Sequence, residues 1–321
     1  SGLVPGLNNV SNVTGAFFIP NGVPPEGGWP VIALAHGTTG AGNNCGLSSE
    51  PDLRGDAPLV AGFLAGGYAV AITDYEGLGP DGQHPYLEPR TAAFNVIDSV
   101  RALRFLDPAV SSRWLAYGVS QGGQASWAAA EFDSWYGEPL ELVGAVALAP
   151  AVNLVGFSEL AYRRELSRDQ LLIGPLVIAG LSRYDPTIVA SRYLRGPSLD
   201  DLNSLVGCDS RASLDRSIEI DPADVGPTSP EDAELLTDAL RRIALPQRPS
   251  SVPLFVLNGL QDRAVLPQWV STAVARSCEL GGILEHQEVA DAGHSDIQSG
   301  EAVWNWIADR FSGKTAESNC R

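Results

Sequence analysis

Ser120 stands in Gly118-Val119-Ser120-Gln121-Gly122. The apolar run Trp114–Val119 precedes it and a helical pattern, Gln121–Phe132, follows it. A serine on so sharp a strand–helix turn presents its hydroxyl above the carboxyl end of a sheet, and flanking glycines avoid collisions there. A plain glycine-rich turn is the alternative. A serine hydroxyl is nucleophilic near neutral pH only beside a base, and the chain has four histidines. His36 and His294 lie just past apolar runs, and His286 falls inside the run Leu284–Val289. His84, in Gly82-Gln83-His84-Pro85, reads as a solvated loop side chain or an entrance residue. Reactive groups of a wound sheet gather beyond the carboxyl ends of its strands, which selects His294 and His36. The imidazole in turn needs a carboxylate to set its tautomer and steady its charged form. Asp262, just past the run Val252–Asn258, is favoured. Asp291, Asp296 and Glu285 are rivals, the first two so near His294 that they are better suited to shaping its loop.

Acyl transfer to a serine also requires two N–H donors where the oxyanion develops. The backbone of Gln121, at the start of its helix, is one candidate. Thr38, in His36-Gly37-Thr38-Thr39-Gly40, is the other, with Thr39 next; an ordinary glycine turn is again the alternative. Thr39, Asp74 and Tyr75 are expected to approach the substrate. Asp74 and Glu76 also admit a structural reading, as hydrogen-bond partners that hold the Thr38 loop in place. No metal or organic cofactor is called for. The cysteines form no CxxC or Cys/His cluster, no GxxxxGK[ST] occurs, and Gly118–Gly123 lacks GxGxxG spacing.

These side chains need a scaffold that brings distant segments to one rim. Strand-like runs at Val13–Ile19, Val31–Ala35, Tyr68–Thr73, Trp114–Val119 and Leu142–Leu148 alternate with helical patterns at Pro58–Gly66, Thr91–Leu106 and Gln121–Phe132. That rhythm predicts an α/β fold with a mostly parallel, doubly wound sheet. From Pro150 it stops, and only helix-like pieces follow: Leu160–Leu166, Asp169–Ala179, Asp200–Val206 and Pro230–Ile243. It resumes with Val252–Asn258, Pro267–Glu279, Leu284–Val289 and a last helix near Ile297–Phe311. Residues 1–150 and 251–321 therefore read as a core, and 151–250 as an inserted helical cap, with Pro246–Pro253 as the return linker. In the cap, Leu171, Leu172, Ile173, Leu176, Val177 and Ile178 are candidates for an acyl tunnel or for plain core packing.

Composition narrows the setting. The chain has 321 residues, 44% hydrophobic and 18% charged, with a net charge of −17. Such a field repels phosphate backbones, and no Lys/Arg run offsets it, so nucleic-acid partners are excluded. The longest apolar stretches are too short to span a bilayer, although transient contact with a neutral lipid surface remains open. Four cysteines in a Met-free chain that opens at Ser1 point to a trimmed, secreted protein with two disulfides, inert buried thiols being the alternative. Cys278 with Cys320 would tie the tail to the core, and Cys45 with Cys208 the core to the cap. Sequence alone does not choose among the three pairings. Asn9-Val-Ser11 and Asn12-Val-Thr14 are glycosylation sequons, meaningful only on a eukaryotic secretory route. A monomer is expected.

The order Ser120, Asp262, His294 is the α/β-hydrolase order. Ala35-His36-Gly37-Thr38-Thr39-Gly40, Asp74-Tyr75-Glu76-Gly77, Gly118–Gly123, Asn258–Asp262 and Gly293-His294 together resemble that superfamily, and more narrowly the secretory lipases of fungi and actinobacteria. The resemblance implies an α/β-hydrolase fold and a secreted hydrolase of carboxylic esters, acylglycerols included, with Ser120, Asp262 and His294 as its triad. A serine peptidase or feruloyl-type esterase would use the same parts. A non-catalytic binding protein on this fold is the other class, but such proteins typically lose a triad member.

Overall fold

Val31 to Ala35 and Ala69 to Ile72 are at most 2% exposed, which a strand achieves only when both faces of its sheet are covered. The computed structural model describes residues 11–80 and 82–320; Ser1 and the Asn9 sequon lie outside them. Among the described residues seven strands form one sheet: β1 (Gly15–Phe18), β2 (Trp29–Ala35), β3 (Ala69–Thr73), β4 (Val110–Val119), β5 (Glu141–Leu148), β6 (Leu254–Gly259) and β7 (Leu284–Val289). Their order is β1-β3-β2-β4-β5-β6-β7, and all pairings are parallel except β1 with β3. The fold class is thus the α/β architecture expected.

Side chains alternate between two cores, as a period of two demands. Val31, Ala33 and Ala35 face one core, and Ile32 and Leu34 the other. The first core is closed by α2 (Pro89–Leu106) and α3 (Gln121–Tyr136), which supply Phe94, Ile97, Trp127 and Phe132. The second is closed by α1 (Ala57–Ala65) and α12 (Glu301–Phe311), through Phe63, Trp306 and Ile307.

The chain moves outward from β2 to β3, then crosses back over β2 to β4. The carboxyl ends of β2 and β4 therefore flank the point where winding reverses, where a crevice opens in such sheets.

Between β5 and β6 the described elements are helical: α4 (Phe157–Arg163), α5 (Arg168–Tyr184), α6 (Ala190–Tyr193), α7 (Pro197–Asp200), α8 (Leu202–Leu205), α9 (Ser210–Ser217) and α10 (Pro230–Ile243), with one 3-10 turn at Pro222–Asp224. α11 (Pro267–Glu279) then separates β6 from β7. Local chemistry moves several boundaries away from the periodic reading. The helix expected over Leu160–Leu166 ends at Arg163 because Arg164 adopts a left-handed backbone at φ 62°. The one expected over Asp200–Val206 is two short helices broken at Asp201. α5 runs beyond Ala179 to Tyr184, with Pro175 and Gly180 inside it. Gly180 is retained for close packing, since a Cβ there would meet Tyr86 Cβ at 2.5 Å and Tyr86 O at 2.7 Å. α6 and α9 have no clear period and were not anticipated.

Two disulfides are formed, Cys45–Cys208 with Cα atoms 4.9 Å apart and Cys278–Cys320 with Cα atoms 5.3 Å apart. The first joins the loop after β2 to the helical segment, and the second ties the tail to α11. Among the described residues no helix is long and apolar enough to cross a membrane.

Candidate active site

Ser120 occupies the corner between β4 and α3 with φ 57° and ψ −116°, outside the regions a non-glycine residue favours. Its N–H donates to Leu148 O at 2.8 Å, and its carbonyl accepts from Gln124 N at 3.0 Å and Ala151 N at 3.1 Å. These three bonds hold the corner against the strain. Gly118 and Gly122 are there because a Cβ on either would collide with backbone, Gly122 O in one case and Ala35 O in the other.

β6 carries Asp262 at its carboxyl end. Its Oδ1 accepts from Ala264 N at 2.8 Å and Val265 N at 2.9 Å, leaving Oδ2 to accept from His294 Nδ1 at 2.6 Å. His294 comes from the loop after β7, which packs on the Asp262 loop so closely that a Cβ at Gly259 would strike Ala292 O. With Nδ1 donating, Nε2 of the imidazole presents its lone pair, and Ser120 Oγ lies 2.8 Å from it. Asp262 is buried and His294 is partly open. Hydroxyl, imidazole and carboxylate thus form one hydrogen-bonded line across β4, β7 and β6.

The rivals fall elsewhere. Asp296 accepts from Gly293 N at 2.8 Å and shapes the histidine loop, while Glu285 accepts from Gln287 Nε2 at 2.8 Å. His286 stays on its strand, 2.6 Å from Asn258 Oδ1. His36 is buried with its ring 4.5 Å from that of Tyr75, its Nδ1 donates to Gly37 O, and burial lowers its pKa. It does not face Ser120 as a base.

Comparisons with known proteins bear on the fold that carries this geometry. The secretory lipase family model matches residues 52–188. Lipase A of Arthroderma benhamiae is 25% identical over 295 residues, 86% of this chain and 60% of its own length. A Mycobacterium tuberculosis protein described as a probable inactive lipase is 27% identical over 278 residues, 80% of this chain and 58% of its own. The chain therefore spans about three-fifths of these curated relatives. Candida antarctica lipase A in its closed state superposes with a TM-score of 0.74 at 19% identity, covering 96% of this chain and 75% of the other. The chain has the α/β-hydrolase fold, and its residues 52–188 are similar to the secretory lipases.

Gln121 opens α3, where the first N–H groups of a helix lack intrahelical partners. Thr38 lies across the crevice in the loop after β2, its Oγ1 2.7 Å from Tyr86 Oη. A cavity of about 280 Å³ adjoins that loop, lined by Thr38, Thr39, Leu172, Ile173, Leu176 and Leu205 among others. Leu172 and Ile173 of α5 meet the cavity, Leu171, Val177 and Ile178 are in the core, and Leu176 belongs to both.

Asp74 and Tyr75, expected at the substrate, are each 1% exposed and do not line this cavity. Asp74 accepts from Ser48 N at 2.8 Å and from the Ser48 hydroxyl, so it braces the Ser48 loop rather than the Thr38 loop. Tyr75 donates its hydroxyl to His36 O at 3.0 Å. Their short distance in sequence from a strand end made them candidates, and the structure gives both buried hydrogen-bond partners. Thr39 does line the cavity, its hydroxyl buried and without a partner.

His84 departs most from its expectation. It is buried, not solvated, with Nδ1 2.8 Å from Glu76 O and Nε2 2.6 Å from Gln121 Nε2. No periodicity marks such a residue, because a loop side chain has no face. Among the described residues no group of three or more His, Cys, Asp or Glu is arranged to hold a metal ion.

Proposed function

We propose that this protein is a secreted serine carboxylic-ester hydrolase with Ser120, His294 and Asp262 as its triad. The observation that carries the reading is the hydrogen-bonded line from Ser120 Oγ to His294 Nε2 at 2.8 Å and from His294 Nδ1 to Asp262 Oδ2 at 2.6 Å. Ser120 Oγ attacks the ester carbonyl while His294 takes its proton, and Asp262 stabilises the imidazolium. The backbone N–H groups of Gln121 and Thr38 bind the oxyanion. His294 then protonates the departing alcohol, and water repeats the sequence on the acyl-enzyme. The acyl chain occupies the apolar cavity that adjoins the Thr38 loop and is lined by Leu172, Ile173 and Leu176. Secretion is supported by the family resemblance and the two disulfides.

A fluorophosphonate should label Ser120 stoichiometrically and extinguish hydrolysis of p-nitrophenyl esters, and Ser120→Ala should remove both. Labelling at another residue, or full turnover by Ser120→Ala, overturns the assignment.

A further inference from the structure

Gln121 and Thr38, the two oxyanion residues, are each tied to one short segment that the ester-hydrolase reading does not use. Residues Gly82–Leu87 lead from β3 toward α2 and lie under α5. Resting on that reading, we propose that His84 and Tyr86 are positioning residues that hold the two donors, Gln121 and Thr38, from a single strap.

The protons fix the direction of each bond. Glu76 O can only accept, so the His84 nitrogen 2.8 Å from it, Nδ1, carries the hydrogen. Nε2 is then left with its lone pair, and the Gln121 amide 2.6 Å away donates to it. Burial pushes the His84 pKa down to about 4, so the ring stays neutral and the acceptor persists through the neutral range. Gln121 has its Oε1 buried without a partner. Leaving a carbonyl unsatisfied costs stability, so the orientation of this amide is set by His84 alone.

The other half of the site is held similarly. Tyr86 Oη lies 2.7 Å from Thr38 Oγ1. Between the two halves, the Tyr75 ring stacks on His84 at 5.8 Å and bonds His36 O, at the root of the Thr38 loop. Gln124, one turn into α3, donates to Leu87 O at 2.7 Å. The strap is clamped from both sides. A Cβ on Gly77 would overlap Gln83 and His84 backbone, and one on Gly180 of α5 would overlap Tyr86. Arg183, also on α5, donates to Gln83 O at 3.4 Å. Donors that must meet an oxyanion without rearranging need such fixed supports.

The test compares His84→Phe, His84→Gln, Tyr86→Phe and the double variant His84→Phe/Gln121→Leu with the parent protein. Active sites are first titrated with a fluorophosphonate. Then kcat and KM on a p-nitrophenyl ester, and affinity for an aryl boronic acid that forms a tetrahedral anion on serine, are measured. His84→Phe and Tyr86→Phe should label fully yet lose roughly ten- to a hundredfold in kcat at unchanged KM, with boronate affinity falling in step. His84→Gln, whose carbonyl can accept from Gln121, should recover much of the loss. The double variant should be no slower than His84→Phe. Unchanged kcat per labelled site in His84→Phe overturns the inference. So does a His84→Gln variant as slow as His84→Phe with thermal midpoints lowered equally, which assigns the ring to packing. A parent protein unlabelled at Ser120 instead removes the ester-hydrolase reading beneath it.

Discussion

At the scale of single residues, this site depends on positions where an ordinary side chain or charge has no room. Ser120 is held at a positive φ, and Gly122 leaves a gap too narrow for one methyl group beside Ala35 O. That neighbour is backbone and cannot rotate aside, so Gly122→Ala should cost more than about 3 kcal/mol, read as a lower urea midpoint. An unaltered midpoint would mean that the corner is looser than described. Asp262→Asn tests the opposite kind of dependence. The fold should survive, because Ala264 N and Val265 N can still donate to the amide oxygen. Turnover should drop roughly 10³- to 10⁴-fold, since an amide in place of the carboxylate favours the wrong imidazole tautomer and leaves the imidazolium without its counter-charge. Spacing and residue type made Ser120, Asp262 and His294 candidates in the sequence. The surroundings of Asp74, Tyr75 and His84, buried and hydrogen-bonded to other loops, were not legible there, because which atoms a loop side chain meets is not written in its neighbours.

At the scale of elements, α3 and α5 each join two tasks. α3 starts beside Ser120 and, three turns on, buries Glu131, whose carboxylate accepts from Gln247 N at 2.9 Å and Arg248 N at 3.2 Å. Burial raises its pKa from 4.5 to about 7, against the partial relief of those two bonds. Between these values the folded state holds a proton that the unfolded chain has released. Stability should therefore decline as pH rises through that window, by up to about 3 kcal/mol, and Glu131→Gln should flatten the decline. Thermal midpoints measured from pH 4.5 to 8 check this. α5 sends one face to the core and another to the cavity. Ile173→Trp should fill part of the roughly 280 Å³ there, so long p-nitrophenyl esters lose more kcat/KM than acetyl or butyryl ones. An unchanged chain-length profile would remove the acyl chain from this cavity.

At the scale of the whole molecule, the crevice exists because winding reverses between β2 and β4, and the helical segment between β5 and β6 is tied to the loop after β2 by Cys45–Cys208. Cys45–Cys208 closes a loop of 163 residues, and Cys278–Cys320 one of 42. On the chain-entropy model these stabilise by about 5 and about 4 kcal/mol respectively. The site should distinguish them more sharply than stability does. A Cβ at Gly40 would meet Gly207 O at 2.6 Å, and Ala41 N donates to Val206 O at 2.7 Å, so the Thr38 loop leans on the segment anchored by Cys208. The paired Cys45→Ser/Cys208→Ser variant should lose both stability and turnover, whereas Cys278→Ser/Cys320→Ser should lose stability with turnover per labelled site retained. Equal turnover losses in both pairs would contradict this division.

The amino-acid order alone determined the α/β alternation, because buried strands and amphipathic helices carry different periods that survive in one dimension. It also determined which serine stands at a glycine-bounded corner, since that corner admits few residues. Tertiary structure decided which carboxylate meets His294, which way α5 divides its leucines, and that His84 is buried against Gln121 rather than solvated. Those outcomes depend on atoms brought together from separate segments, Asp262 and His294 being 32 residues apart and His84 and Gln121 37, and hydrogen bonds and close contacts act over a few ångströms of space, whatever the distance along the chain.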